Sequence, residues 1–370
     1  MGGNGMKKTT IRLLCLVVAL VFAMTGCAAK APAANGTAGE SPQTFNLQFA
    51  TFWPAVDFQV VDGHMVWAKE ISDRVSAETP HTVNITMQPG GVLLGATEIY
   101  EGVASGAADI GSTCPVYTMG LFPLTMGLEL PGYKNDNALV ASMTMQKAFE
   151  TSAALQAEYD DVKVMFFWAT GPGGFFTNTP VRTAADLKGM QIRAAGGSAL
   201  AITALGGTPV NMPMSEAYLA LDSGIVDGLL GPTDTLKGFR LAEVTKYITK
   251  TPFVGYNVVF VKVMNKDTWN KLPPSVQKIF DEVNEKYALE YGKLRTDNTI
   301  LGEKYGVEEH GMQVIELEAA ERDKWLATVM PIPEKWVKDT DAAGLPGTET
   351  YKLYHELDEE FSKEYSNYGK

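Results

Sequence analysis

Residues 185–228 read ADLKGMQIRAAGGSALAITALGGTPVNMPMSEAYLALDSGIVDG, and this stretch decides the fold because it sets one arginine, Arg193, at the end of a short apolar strand. Ala184 and Ala185 open a one-turn helix that Gly189 stops. Met190, Ile192 and Ala194 then alternate with Gln191, Arg193 and Ala195, the two-residue period of a half-buried strand. Gly196 and Gly197 end that strand, and Ser198 is placed to cap a helix over Ala199 to Leu205. A second helix begins at Ser215 and runs over Glu216 to Ser223, and Val226 to Leu230 reads as the next strand. An arginine at such a strand end points into the cleft that the strand borders, carrying a planar fork of donors suited to a carboxylate.

The same alternation of strand and helix extends to both sides. Phe45 to Phe52, Val83 to Met87 and Ala108 to Gly111 read as strands, with helices over Gly63 to Val75 and Thr97 to Ser105 between them. This rhythm predicts a mainly parallel sheet whose loops at the carboxyl ends of the strands form a ligand crevice. A second α/β unit begins near Val162 with the buried strand KVMFFWA, followed by the segment GPGGFFTN, read as a loop. Asn257 to Val263 is an extended run that returns to the first sheet. From Pro273 an apolar face recurs through Val276, Ile279, Phe280, Val283, Tyr287, Ala288 and Tyr291. A helix of roughly 30 residues there would be about 45 Å long, enough to cross two lobes.

Composition narrows the partners. A net charge of −12 argues against nucleic acid, which rewards a basic face. At the N-terminus Lys7, Lys8 and Arg12 precede the apolar run Leu13 to Met24, which is short for a membrane span, and Thr25-Gly26-Cys27 follows. The pattern resembles a bacterial lipoprotein signal, with Met24 where leucine is usual, and implies lipidation of Cys27. An uncleaved anchor or plain secretory signal is the alternative. Residues 1–26 then form the signal and 27–43 a flexible tether rich in Ala, Pro, Gly, Ser and Thr. The mature chain keeps 28 basic residues against 43 acidic, a net −15, and Cys114 is left without an intramolecular partner. The expectation is an acidic domain tied to a membrane in the periplasm or another extracytoplasmic space.

Lys188, Gly189 and Arg193, then Leu205, Gly206, Pro209, Met212, Pro213, Ser215, Glu216 and Tyr218, and then Ala220, Leu221, Gly224, Val226, Asp227 and Gly228 fall in a spaced order. That order resembles the substrate-binding proteins of tripartite ATP-independent periplasmic (TRAP) transporters, of the C4-dicarboxylate-binding type. The resemblance covers roughly residues 45–305. It implies an α/β, two-lobe periplasmic-binding-protein (Venus flytrap) fold with mainly parallel mixed sheets and a long helix spanning both lobes. Lobe I is expected over 44–168 and 256–295, and lobe II over 169–255 and 296–370, with hinge strands near Ala169 and Tyr256. It further implies capture of a small organic anion, a two-point salt bridge from Arg193 to the ligand carboxylate, and delivery to small and large membrane subunits.

Two departures from the commonest family pattern bear on the ligand. A second arginine often precedes the Phe-Thr-Asn triplet, here Phe176, Thr177 and Asn178, but Gly173, Gly174 and Phe175 stand there. Polar residues, including an asparagine, usually follow the Asp-Gly pair, whereas Leu229, Leu230, Gly231 and Pro232 follow Asp227 and Gly228. Unpartnered hydroxyls would cost roughly 1–3 kcal/mol each in such a site, and a second carboxylate more. The expected ligand is a monocarboxylate with an apolar or aromatic body, such as an aryl acetate or a 2-oxo acid, with Arg193 as the sole ionic anchor. Phe52, Trp53, Trp168, Phe175, Phe176, Phe253 and Tyr256 gather at strand ends and loops, and Gly173, Gly174 and Gly231 would make room. Met212, Pro213, Pro232, Tyr117 and Asn257 complete the candidate contacts. For Trp53, Trp168, Phe175 and Phe176 the competing reading is core packing.

Other classes lack parts. His64, His81, His310 and His355 are scattered with no metal-ligand spacing, no GxSxG elbow is present, and GPGG lacks the lysine of a phosphate loop. No enzyme activity, cofactor or metal is expected. A ligand-sensing partner of a receptor would use the same fold and arginine, and a C4-dicarboxylate or sugar acid is the alternative ligand.

Overall fold

The computed structural model describes residues 41–118, 120–134 and 136–370. The expected signal, Cys27 and the tether up to residue 40 lie outside them. The strands are β1 (Thr44–Thr51), β2 (Thr82–Gln88), β3 (Ile110–Thr113), β4 (Val162–Ala169), β5 (Gly174–Thr177), β6 (Gln191–Ala194), β7 (Thr208–Asn211), β8 (Gly228–Gly231), β9 (Tyr247–Lys250), β10 (Val259–Asn265) and β11 (Gln313–Glu316). Lobe I holds a sheet of order β2-β1-β3-β10-β4, and lobe II one of order β11-β9-β5-β8-β6-β7. Five of the nine pairings are parallel, so the sheets are mixed with only a small parallel majority.

Residues 185–228 build the arginine edge of lobe II much as their pattern dictates. Ala184–Leu187 is a single 3-10 turn, and Gly189 takes the left-handed φ of 85° that ends it. β6 follows, but three of its four residues are buried, because helices and β7 cover it on both sides. β7 itself, paired in parallel with β6, was not expected: Thr208–Asn211 is too short and too polar to carry a period. Ser198 is the first residue of helix Ser198–Ala204 rather than its cap, and its hydroxyl accepts from Ala195 N–H at 3.1 Å, pinning the strand end.

Two of the chain crossings between the lobes lie side by side, residues 170–173 from β4 to β5 and residues 251–258 from β9 to β10. Thr170 N–H donates to Val258 O at 2.9 Å, and the Thr170 hydroxyl accepts from Val258 N–H at 3.0 Å. The crossings are thus tied into one hinge. β10 returns antiparallel between β3 and β4, and all seven of its residues are buried. The expected long helix is Pro274–His310, 37 residues and about 55 Å. At Gly302 any Cβ would overlap the Thr233 carbonyl, so glycine lets this helix lie directly on lobe II.

One lobe assignment needs correction. Helix Ala319–Val329 stays on lobe II, with Trp325 edge-on to Phe175 at 5.7 Å. Helices Pro331–Ala342 and Gly347–Tyr365 instead cross to lobe I, where Tyr354 OH donates to Leu124 O at 3.3 Å and Asn137 Nδ2 donates to Tyr365 O at 2.9 Å. Residues 331–370 therefore pack with lobe I, not with lobe II. An amphipathic C-terminal helix shows which face it buries but not which partner it buries it against.

Candidate ligand-binding site

Arg193 is the second-last residue of β6, and its side chain is fully buried. Its Nε donates to Met212 O at 3.0 Å, and its Nη2 donates to the Tyr117 hydroxyl of lobe I at 3.4 Å. That hydroxyl also accepts from Met214 N–H of lobe II at 3.0 Å, so one phenol holds two groups of the opposite lobe. Nη1 has no hydrogen-bond partner. Among the described residues no carboxylate pairs with Arg193. Burial works against its charge, but Tyr117, Tyr256 and Cys114 around it raise its pKa above the ordinary value, so the guanidinium stays cationic. A buried charge of this kind is costly until an anion meets it.

Between the lobes lies a narrow cavity of about 20 Å³, which Arg193 does not itself line but which two of its neighbours, Tyr117 and Tyr256, do. Phe52 and Trp53 form one wall, stacked at 4.0 Å, and Phe260 meets Trp53 edge-on at 5.1 Å. Tyr117 and Tyr256 stand next to the guanidinium, and Pro232, Thr170 and Thr235 complete the polar end. A second arginine, Arg295 of the long helix, does line this cavity and lies over the Phe260 ring at 4.7 Å. Its Nη2 pairs with the buried Asp234 carboxylate at 3.1 Å. Arg295 is therefore the cation that lines the cavity, with its charge met by Asp234, whereas Arg193 stands behind Tyr117 with no carboxylate beside it among the described residues.

The candidate residues separate into three groups. Trp53, Tyr117, Tyr256 and Pro232 line the cavity. Met212 and Pro213 line a larger groove beside it, which shares Tyr117 and Ala195 with the cavity. Arg193 itself, Trp168, Phe175, Phe176, Gly174, Gly231 and Asn257 line neither, Arg193 lying behind Tyr117 and Met212. Trp168 packs behind the wall at 6.0 Å from Trp53, its indole N–H donating to Gln59 Oε1 at 2.9 Å. GPGGFFTN is not a loop: Phe175 and Phe176 are in β5, fully buried inside lobe II. The glycines do not make room for a ligand either. A Cβ on Gly173 would meet the Tyr256 ring at 2.8 Å, one on Gly174 the Thr249 carbonyl at 2.9 Å, and one on Gly231 the Leu229 side chain at 2.7 Å. Asn257 is buried next to the hinge with its Oδ1 unpartnered.

Sequence reading missed Arg295, Asp234 and Phe260. Arg295 had a signal, since it continues the stripe of Tyr287 and Tyr291 at four-residue steps and so puts a charge on the face that packs. Asp57 of lobe I also faces this region; it accepts from Gln59 N–H at 2.8 Å and is held so close to Gly238 of lobe II that no Cβ would fit there. Burial lifts its pKa to about 7, with Asp234 adding to the rise and the Gln59 amide and Arg295 opposing it. Glu129 of lobe I, which accepts from Gly197 N–H of lobe II at 3.2 Å, is lifted by burial to about 8. Among the described residues no cluster of His, Cys, Asp or Glu is arranged to hold a metal ion.

The two hinged sheets and the anion-seeking guanidinium between them define a bacterial solute-binding protein. More narrowly, the chain belongs to the bacterial extracellular solute-binding proteins of family 7, the DctP family, whose model matches residues 59–339. It is similar to a TRAP solute-binding protein of Rhodoferax ferrireducens solved with copurified benzoate, at 26% identity and TM-score 0.79, over 86% of this chain and 98% of that one. It is also similar to the 2,3-diketo-L-gulonate-binding periplasmic protein of Escherichia coli, 27% identical over 59% of this chain and 66% of that protein. The monocarboxylate 2-oxoacid-binding periplasmic protein of Nostoc sp. is 28% identical, over 59% of this chain and 60% of that protein. Family and fold thus stand as the sequence implied.

Proposed function

We propose that this protein captures an organic monocarboxylate with an apolar or aromatic body and hands it to the small and large membrane subunits of a TRAP transporter. The observation that carries this reading is the Arg193 guanidinium, fully buried, with Nη1 unpartnered and no carboxylate of the described chain beside it, against an aromatic-walled cavity. A ligand carboxylate would take Nη1 and share Nη2 with the Tyr117 hydroxyl, while its body lies against Phe52, Trp53 and Phe260. A diacid is less well served, because the charge of Arg295 is already engaged by Asp234. The benzoate found with the Rhodoferax protein and the 2-oxo acid of the Nostoc protein are ligands of this kind. The sugar acid of the Escherichia coli relative favours a second reading, a polyhydroxylated acid, which would have to find partners in Thr170, Thr235 and the tyrosine hydroxyls. Lipidation at Cys27, membrane anchoring and the choice of transport over sensing belong to the same proposal. A calorimetric panel of benzoate, phenylacetate, 2-oxo acids, succinate and gulonate, run on the wild type and on Arg193→Ala, tests it. Binding of aryl or 2-oxo monocarboxylates that the variant loses is expected; succinate alone binding, or undiminished binding by the variant, refutes it.

A further inference from the structure

The groove beside the cavity is an open hollow at the lobe junction. It measures about 490 Å³, against about 20 Å³ for the cavity, and no Asp, Glu, Lys, Arg or His is among its lining residues. Lobe I supplies Val116, Phe122 and Met126, lobe II supplies Leu200 and Met212, and the C-terminal helix that crosses back supplies Trp336. Tyr117 and Ala195 face both hollows, and Met212, whose carbonyl holds Arg193 Nε, lines the groove with its side chain. An acid clamped at Arg193 therefore has two apolar directions open to it. One ends in the aromatic cavity, and the other passes Tyr117 into the groove.

We propose that the groove is the tail site of the carboxylate pocket, taking the far end of an acid whose carboxylate and apolar terminus are separated by a flexible methylene chain. This rests on the carboxylate reading of Arg193 given above. Three features favour such an occupant over a second polar ligand or a protein segment. The groove's lining carries no charge, two of its lining residues, Met212 and Tyr117, are hydrogen-bonded to the arginine, and both lobes contribute walls that come together only when the lobes do. The pair Phe122 and Met126 also gives it adaptable, polarisable surface suited to a chain that changes direction. The predicted ligands extend beyond benzoate to ω-phenylalkanoates and medium-chain fatty acids.

The test is a titration of the full-length mature protein with phenylacetate, 4-phenylbutyrate, 6-phenylhexanoate and octanoate, on the wild type, on Leu200→Glu and on Arg193→Ala. Leu200 is half-exposed on a helix, so a glutamate there places a charge at the groove without disturbing the core. Affinity should rise about two- to fourfold for each methylene beyond phenylacetate, up to the value for a fully buried CH₂. Leu200→Glu should erase at least tenfold of the gain for 6-phenylhexanoate and leave phenylacetate within about twofold. A flat or falling series, or an equal loss for short and long acids in Leu200→Glu, overturns the tail site. If that happens while Arg193→Ala still abolishes phenylacetate binding, the carboxylate reading survives alone. Binding of every acid by Arg193→Ala overturns both.

Discussion

Asp57 should make ligand capture proton-linked. In the closed arrangement its carboxyl is buried against Gly238 and near Asp234, with a pKa of about 7 against an ordinary 3.8. Once lobe II swings away the carboxyl meets water, and its pKa falls back toward that ordinary value. The closed state thus binds a proton that the open state releases near neutral pH. With a raised carboxyl pKa in the closed state, the contribution to closure is fullest below 3.8 and is lost as pH rises through about 7. From these two values, Asp57 alone should weaken the apparent affinity by roughly tenfold between pH 6 and pH 8 and by about fiftyfold between pH 5 and pH 7. Asp62 on the same segment, Asp234 of lobe II and Arg295 of the long helix are the charged groups that face it. Glu129, raised to about 8 at the other lobe contact, acts in the same direction. The assay is isothermal titration with the best-binding monocarboxylate at pH 5 to 8, on the wild type and on Asp57→Asn, which carries the neutral form at every pH. Asp57→Asn should lose the Asp57 share of this fall, so that its affinity drops about tenfold less than the wild type's from pH 6 to pH 8, the remainder being left by Glu129. An affinity unchanged from pH 6 to pH 8 in the wild type, or an identical slope in the variant, refutes the reasoning.

Three further outcomes check the geometry. Gly196→Val should hold the lobes apart, since Gly196 has a φ of 55° and a Cβ there would press on Glu129, Met126 and Val116; small-angle scattering should show no compaction when ligand is added. Tyr117→Phe leaves both Arg193 Nη2 and Met214 N–H short of their acceptor, and at about 1–3 kcal/mol for a buried group the dissociation constant should rise five- to a hundredfold in calorimetry. Phe175→Ala should cost about 3–5 kcal/mol of unfolding free energy in a denaturant titration while the folded protein keeps its ligand affinity, as expected of a core ring rather than a site ring.

The strand-end position of Arg193 was legible because a strand end, two glycines and a helix start sit in one contiguous run, and local patterns are what a sequence states most directly. The return of residues near 257–263 to the first sheet was legible for the same reason: apart from Lys262 and Asn265, β10 is an apolar run, and it is buried throughout as a central strand. What stayed hidden depends on contacts far apart in the chain. GPGGFFTN looked like a loop because its glycines suggest a turn, whereas Gly173 and Gly174 are there to admit Tyr256 and the Thr249 backbone. The aromatics at strand ends divided by the direction each side chain takes, so Trp53, just after β1, faces the cavity and Trp168, in the edge strand β4, packs behind it. Arg295 lies 102 positions beyond Arg193, and only the path of a long helix across both lobes brings it to the cavity that Tyr117 and Tyr256 line.

The placement of the tryptophans has a practical consequence. Trp53 forms the wall of the aromatic cavity, and Trp336 borders the groove on the other side of Tyr117. The protein therefore carries two intrinsic optical probes on opposite sides of a single tyrosine partition. The ligand-dependent emission that Trp53→Phe removes is the cavity's share and that which Trp336→Phe removes is the groove's, the other four tryptophans being common to both spectra. Comparing the two spectra for one acid maps, without any label, which chamber its apolar end enters.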